Sequence, residues 1–300
     1  MWQIQWQDRF NIGVERIDQA HRELFSIVQK ILELYVERHK SKFACMEGIK
    51  YFKAYALKHF AEEEAYMREI GYPDYLIHKR IHDRMRKETL PALERELNGT
   101  DFSTEAVQHF IGVCIGWLTG HIIMEDRAIT GRAAGELSPP PEDEAGLVRT
   151  LILDPLREMF GPDIQFAGRC SADHRIRDAY YYALTYGKPA GPKLRLVLMI
   201  GEPLLLRAAG LMFGIDFFEM NEIVRFAIRE IVQNLLQRAE VRFGEHADAY
   251  QLEEDRLLEA EEFRQGCGEH LPQYSLLFTA RKESFVLCMD RIAESAAPAD

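Results

Sequence analysis

The chain is 300 residues long, enough for two domains that each bury a core of their own. Hydrophobic residues make up 47% of it and charged residues 28%, the proportions of an ordinary soluble protein rather than a disordered or fibrous one. A formal net charge of −11 argues against nucleic acid and anionic membrane surfaces as main partners and favours a partner with a basic face. The chain opens with MWQIQWQDRFNIG, which has neither a basic start nor an apolar run, so no signal peptide is expected. Residues 1 to about 13 read as extended or looped, with Trp2, Trp6 and Phe10 packing across the end of a bundle. From about Val14 to Arg38, Ile17, Leu24, Phe25, Val28, Ile31, Leu32 and Tyr35 recur at helical spacing. A second helix is predicted from about Cys45 to Ile70, stopped by Gly71 and Pro73. Asp74 is expected to cap a third, reaching about Leu97 before Asn98 and Gly99. Asp101 or Ser103 opens a fourth, which carries Val107, Phe110, Ile111, Cys114, Trp117, Leu118 and His121 and fades near Gly131. Four such helices joined by short turns favour an all-α, antiparallel up-down bundle over residues 1–133.

Residues 131 to 146, GRAAGELSPPPEDEAG, form the clearest boundary. Pro139, Pro140 and Pro141 cannot occupy a helix interior and the acidic run after them is solvated, so residues 134–146 read as a semi-rigid linker. Beyond it, residues 147–300 mix helices and strands, as in an α/β or α+β domain. A helix is expected over about Leu147 to Phe160, strands at DAYYYALTY (Asp178 to Tyr186) and KLRLVLMI, and helices over about Pro203 to Phe213 and Met220 to Arg242. LEEDRLLEAEEF (Leu252 to Phe263) is simply acidic, and QYSLLFTARKESFVLCMD reads as a hairpin closing on Lys282 and Glu283. No stretch approaches the ~20 apolar residues of a membrane-spanning helix. The best candidate, KLRLVLMIGEPLLLRAAGLMFG, is interrupted by Arg195, Glu202 and Arg207. The five cysteines, Cys45, Cys114, Cys170, Cys267 and Cys288, form no CxxC and read as free, small buried hydrophobes in a reducing cytosol.

Chemistry concentrates in the first half. HFAEEE places His59 and Glu63 four residues apart, so on a helix both side chains point the same way. IHKRIH repeats that spacing with His78 and His82, WLTGHIIMED adds His121 and Asp126, and IDQAHRELF adds His21. A lone helical histidine is more often structural. Five imidazoles and two carboxylates on four helical segments, late and early in alternate helices, are instead the pattern of a metal centre inside a bundle. His39 and His109 lack such partners and read as structural or surface residues, and Met67 as core. The spacing of His121 and Asp126 is awkward, because five residues turn about 140° beyond one revolution of an ideal helix. Asp126 must reach across to join the others.

WQDRFNIGVERIDQAHRELF, HFAEEEAYM, HKRIH and WLTGHIIMEDRAI resemble the bacterial single-domain hemerythrin family over about residues 2 to 132. The resemblance implies two non-heme iron ions, one bound by His78, His82 and His121 and the other by His21 and His59. Glu63 and Asp126 would bridge them, together with an oxo or hydroxo group. Two six-coordinate irons offer roughly twelve positions. The imidazoles, carboxylates and bridging oxygen fill all but one, on the iron held by two histidines, where dioxygen would bind. Trp117, one turn before His121, is expected to line that pocket and exclude water. The histidine-rich donor set favours reversible binding over the oxidase chemistry of carboxylate-rich diiron sites.

Residues 147 to about 292 resemble the CheX-like chemotaxis phosphatase domains, with a strand LRLVLMIGEP and helices LLLRAAGLMFG and NEIVRFAIREIVQNLLQRA. In that family a long helix carries Glu-x-x-Asn, which acts on the aspartyl phosphate of a response regulator. The matching catalytic positions here are Glu230 and Gln233, the glutamine supplying the same amide on a longer arm. The substitution of Asn by Gln leaves phosphatase activity open, against a docking or dimerisation surface. Together the two resemblances imply a cytoplasmic oxygen or redox sensor whose partners are dioxygen and a phosphorylated response regulator, with a homodimer through the second domain as one arrangement. The alternatives are a dioxygen storage or delivery protein, and a diiron peroxidase or nitric-oxide-handling enzyme.

Overall fold

A computed structural model describes residues 4, 6–36, 42–131, 153–170, 174, 176, 179–187, 193–243, 251–258, 261, 263 and 274–292. The expected linker, residues 134–146, lies outside them, as do Trp2, His39 and Cys267. The chain falls into two compact units, Met1–Glu136 with Ala209–Ile231, and Leu137–Ala208 with Val232–Asp300.

In the first unit α1 spans Glu15–Val36. Its Ile17, Leu24, Phe25, Val28, Ile31 and Leu32 form one buried stripe, as their spacing requires. Asp18 in the first turn accepts from the backbone amides of Ile12 (2.7 Å) and Gly13 (3.0 Å), which ties the incoming chain to the helix start. α2, Lys42–Glu69, stops where Gly71 takes φ +66, a left-handed conformation that a side chain would strain. The Tyr72 amide then donates back to the Met67 carbonyl at 2.9 Å, closing a Schellman-type end.

The third rod is α3, Tyr75–Arg84, a π-helical turn Met85–Thr89, and α4, Leu90–Gly99. Asp74 stands at its start but makes no side-chain cap hydrogen bond, contrary to expectation. The π turn answers a problem that the sequence poses. Pro91 lacks an amide hydrogen and would collide with a carbonyl in a regular helix, and the widened turn just before it, with Leu90 N–H on Met85 O, relieves the overlap. Ser103 opens the fourth rod, accepting from the Ala106 amide at 3.2 Å. That rod is α5, Thr104–His121, then a second π turn, Ile122–Asp126, and a short α6, Arg127–Ile129. α1 packs on α2 and α5, α2 on α3, and α4 on α5, which closes the expected up-and-down bundle.

Among the described residues, Thr104–Ile129 is the helix long and apolar enough to cross a membrane, not the later segment singled out from the sequence, and 89% of its most apolar 18-residue window is buried. Every residue from Phe110 to Met124 is buried, more than a four-rod bundle alone covers. The extra cover comes from the segment Ala209–Ile231 of the same unit. Gly112 and Gly116 lie one turn apart on α5, and a Cβ added to them would meet Phe226 Cβ at 2.5 Å and the Ala227 carbonyl oxygen at 2.4 Å. Only glycine permits so close an approach.

The second unit is built on a six-stranded sheet in the order β1-β5-β6-β3-β2-β4, antiparallel at every pairing. The strands are β1 Ile164–Arg169, β2 Ala179–Gly187, β3 Lys193–Gly201, β4 Gln251–Leu258, β5 Tyr274–Ala280 and β6 Glu283–Ile292. α7, Asp154–Phe160, precedes β1, and α8, Glu202–Phe213, follows β3 directly. α9, Glu222–Phe243, begins in the first unit's segment. β2 is buried on both faces, so its apolar run does not alternate. The terminal hairpin turns at Arg281 and Lys282, one residue earlier than expected, with Arg281 at φ +56. β1 and β4 were not expected as strands. β1 is short and bulged between Phe166 and Gly168, and β4 is an acidic edge, where charge is a usual defence against further pairing. Of the described cysteines, Cys45, Cys114 and Cys288 are buried and Cys170 half-buried, and none of them forms a disulfide.

Candidate metal centre

Four rods each deliver ligand-type side chains to one level of the bundle. α1 gives His21, α2 gives His59 and Glu63, α3 gives His78 and His82, and the fourth rod gives His121 and Asp126, all of them 0–2% exposed. The π turn resolves the awkward fifth-residue spacing. One extra residue in the turn, with Arg127 N–H reaching Ile122 O, swings Asp126 back under His121, and Asp126 Oδ1 lies 3.0 Å from His121 Nε2.

The side chains gather into two groups that share Glu63. His78, His82 and His121 surround it on one side, and His21 and His59 on the other. Glu63 Oε2 is 3.4 Å from His82 Nε2 and 3.5 Å from His59 Nε2. Asp126 spans the groups from the opposite direction, with Oδ2 at 3.3 Å from His21 Nε2 and Oδ1 at 3.3 Å from His78 Nε2. His21 and His59 face each other Nε2 to Nε2 at 3.1 Å, and His82 and His121 at 2.9 Å.

These contacts fit a metal better than they fit a hydrogen-bond network. Among the described residues, both oxygens of Glu63, both of Asp126 and Nε2 of His78 are buried without a hydrogen-bond partner, a costly state for carboxylates in an apolar interior. Cations would satisfy all of them. Two nitrogens bound to one ion at about 2.1 Å and a right angle stand about 3.0 Å apart, the separation seen within each imidazole pair. Burial, reinforced by His21, lowers His59 to about 3, and burial also lowers His121, so both present neutral lone pairs. Burial opposes charge on His78 as well, but Asp126 and Glu63 outweigh it and raise it to about 9. Burial likewise works against charge on Asp126, yet His121 and the other imidazoles around it hold it well below the usual carboxylate range.

Aromatic rings wall the cluster. Trp117 stacks on His121 at 4.2 Å and lies 6.3 Å from His82, so it covers the three-histidine group, not the two-histidine side where the sequence led us to expect the pocket it lines. Phe60 stacks on His82 at 4.4 Å. On the other side Trp6 lies 6.5 Å from His21 and packs against Phe10 and Phe25. Sequence reasoning placed Trp6 at the bundle end and missed its approach to His21. It also missed Glu64, whose carboxylate reaches His82, because three successive glutamates give no sign of which faces inward. Met67 is fully buried beside Tyr72 and Ile129, in the core as expected. His109 pairs with Glu96 at 2.6 Å, away from the cluster's contacts. Glu230 and Gln233 lie one turn apart on α9, both half-buried.

A four-helix bundle closing five imidazoles and two carboxylates around a shared, partnerless pair of acids is a metal-binding bundle. Residues 12–133 match the family described as "Hemerythrin HHE cation binding domain". The bacteriohemerythrin of Clostridium acetobutylicum is 34% identical over 128 residues, covering 41% of this chain and 95% of that protein. That of Stenotrophomonas maltophilia is 34% identical over 134 residues, covering 44% and 83%. Through this region the chain belongs to the hemerythrin family. Among solved structures, the chemotaxis protein CheX of Vibrio vulnificus aligns with a TM-score of 0.37 at 15% identity, over 45% of this chain and 91% of that one. A Desulfovibrio vulgaris Hildenborough protein described as a "putative chemotaxis protein" aligns with a TM-score of 0.37 at 11% identity, over 49% and 95%.

Proposed function

We propose that the chain is a non-heme diiron protein that binds dioxygen and acts as an oxygen or redox sensor. His78, His82 and His121 hold one iron, His21 and His59 the other, and Glu63 and Asp126 are shared between them. The observation that carries this reading is the inequality of the two groups about Glu63, three imidazoles against two. When bound, the iron pair supplies a redox-active centre with one coordination position that the protein does not fill. The chain's part is to hold the imidazoles in place, to neutralise the cations with two buried carboxylates, and to exclude water with Trp117, Phe60 and Trp6.

The sensing half of the reading is supported by the contact around α5. The rod that bears Trp117 and His121 meets Ala227 at Gly116, and Ala227 lies one turn before Glu230 on α9. A shift of His121 on ligand binding is therefore close to the helix whose Glu230 and Gln233 resemble a chemotaxis phosphatase pair. A ligand biases such a helix only through different affinities for its two arrangements. The test has two arms. Iron per chain and the visible spectrum, before and after oxygen exposure, should show two irons and an oxygen-dependent band; colourless, iron-free protein would end the diiron reading. Phosphorylated response regulators incubated with the chain, with and without dioxygen and with Glu230→Ala, should show oxygen-dependent dephosphorylation or binding that the substitution abolishes. Partner affinity indifferent to dioxygen would leave a storage protein.

A further inference from the structure

The five imidazoles of the cluster are not equivalent on their outer edges. Among the described residues, Nδ1 of His21, His59, His78 and His121 is buried with no protein hydrogen-bond partner. His82 alone has one. Its Nδ1 lies 3.2 Å from Oε1 of Glu64, a residue 5% exposed on α2. Arg86, one turn beyond His82, donates through Nη2 to the same Oε1. The guanidinium also lies over the Phe60 ring at 5.7 Å, and Phe60 stacks on His82 at an interplanar angle of 17°. The Arg86 side chain is 23% exposed, so this chain of contacts runs from solvent to the metal-facing ring.

We infer that Glu64 and Arg86 are positioning residues for the three-histidine half of the centre, a role that rests on the diiron reading above. An imidazole that binds metal through Nε2 keeps its proton on Nδ1, and an acceptor there fixes both tautomer and ring orientation. Glu64 is that acceptor, and its negative charge makes His82 a stronger donor, which favours the ferric over the ferrous state. Arg86 draws charge from the carboxylate and opposes that preference. The two residues therefore act with opposite sign on one iron, which a purely structural pair would not do.

The test uses the full-length, iron-loaded chain and reads iron per chain, zinc affinity and the reduction potential by spectroelectrochemistry. Glu64→Gln should weaken zinc binding about 10- to 100-fold. It should also shift the ferric-to-ferrous affinity ratio toward ferrous by about tenfold, which is about +59 mV for one electron. Arg86→Met should move the potential the other way, and Arg86→Lys should restore most of it. Shifts of the same sign, or none in variants that still hold two irons, would overturn the inference and leave the centre standing. If Glu64→Gln does not fold, the Arg86 pair decides alone: a lowered potential recovered by lysine supports the relay, and an unchanged one refutes it. A wild-type chain without iron would overturn both the relay and the centre.

Discussion

Glu63 and Asp126 show what single residues contribute here. Each is a fully buried carboxylate whose oxygens, among the described residues, make no hydrogen bond, so the metal-free cluster carries a desolvation penalty that bound cations remove. Chelation of the metal should lower the unfolding temperature in calorimetry, and re-addition should restore it. Ligand at a thousandfold excess over its Kd is worth about 4 kcal/mol to the folded state. An unfolding temperature indifferent to chelator would mean that the cluster is not a metal site. In the second unit Asp163 makes a two-pronged ion pair with Arg207, at 2.8 and 3.2 Å, and a further pair with Arg281. Burial works to raise its carboxyl, but the two guanidinium groups outweigh that and hold it below the usual range. A depressed folded value stabilises the protein above the unfolded value and loses that contribution as pH falls through the depressed one. Asp163→Asn should therefore cost about 0.5–1 kcal/mol at neutral pH, partly screened because the pair is near the surface. The difference from wild type in urea melts should shrink as pH drops below about 4.

Elements add constraints that no single residue carries. The two π turns, Met85–Thr89 and Ile122–Asp126, are each one residue wider than a regular turn. One makes room for Pro91 and the other brings Asp126 to the face of His121. Neither is written in apolar periodicity, which is why the sequence left the proline unremarked and treated Asp126 as a long reach. α5 tells a similar story. Its unbroken apolar run reads as one bundle helix, yet burial on every face requires the segment that begins α9. Gly116→Ala should cost about 1–3 kcal/mol, since its Cβ would press on the Ala227 backbone. Gly99→Ala, with open space around it, should stay within about 0.5 kcal/mol of wild type. Equal effects in chemical denaturation would show that the approach of the two helices is not as close as described.

At the scale of the whole molecule, a metal-binding bundle is followed by a six-stranded antiparallel sheet with its helices. The four rods and the seven inward side chains were legible because helical spacing is local, and four-residue repeats put His59 with Glu63 and His78 with His82 on one face whatever surrounds them. β2, β3 and the terminal hairpin announced themselves by apolar, β-branched and aromatic runs between turn residues. β1 and β4 did not, because an edge strand is stabilised by its neighbour rather than by its own composition. Local sequence thus determined which ligand-type side chains turn inward and which rods present them. Tertiary structure alone decided that Glu64 rather than another glutamate of HFAEEE backs His82, that Trp117 covers the three-histidine side, and that glycines on α5 admit a fifth helix. Those outcomes depend on contacts between residues far apart in the chain, where packing and desolvation, not spacing, select the partner.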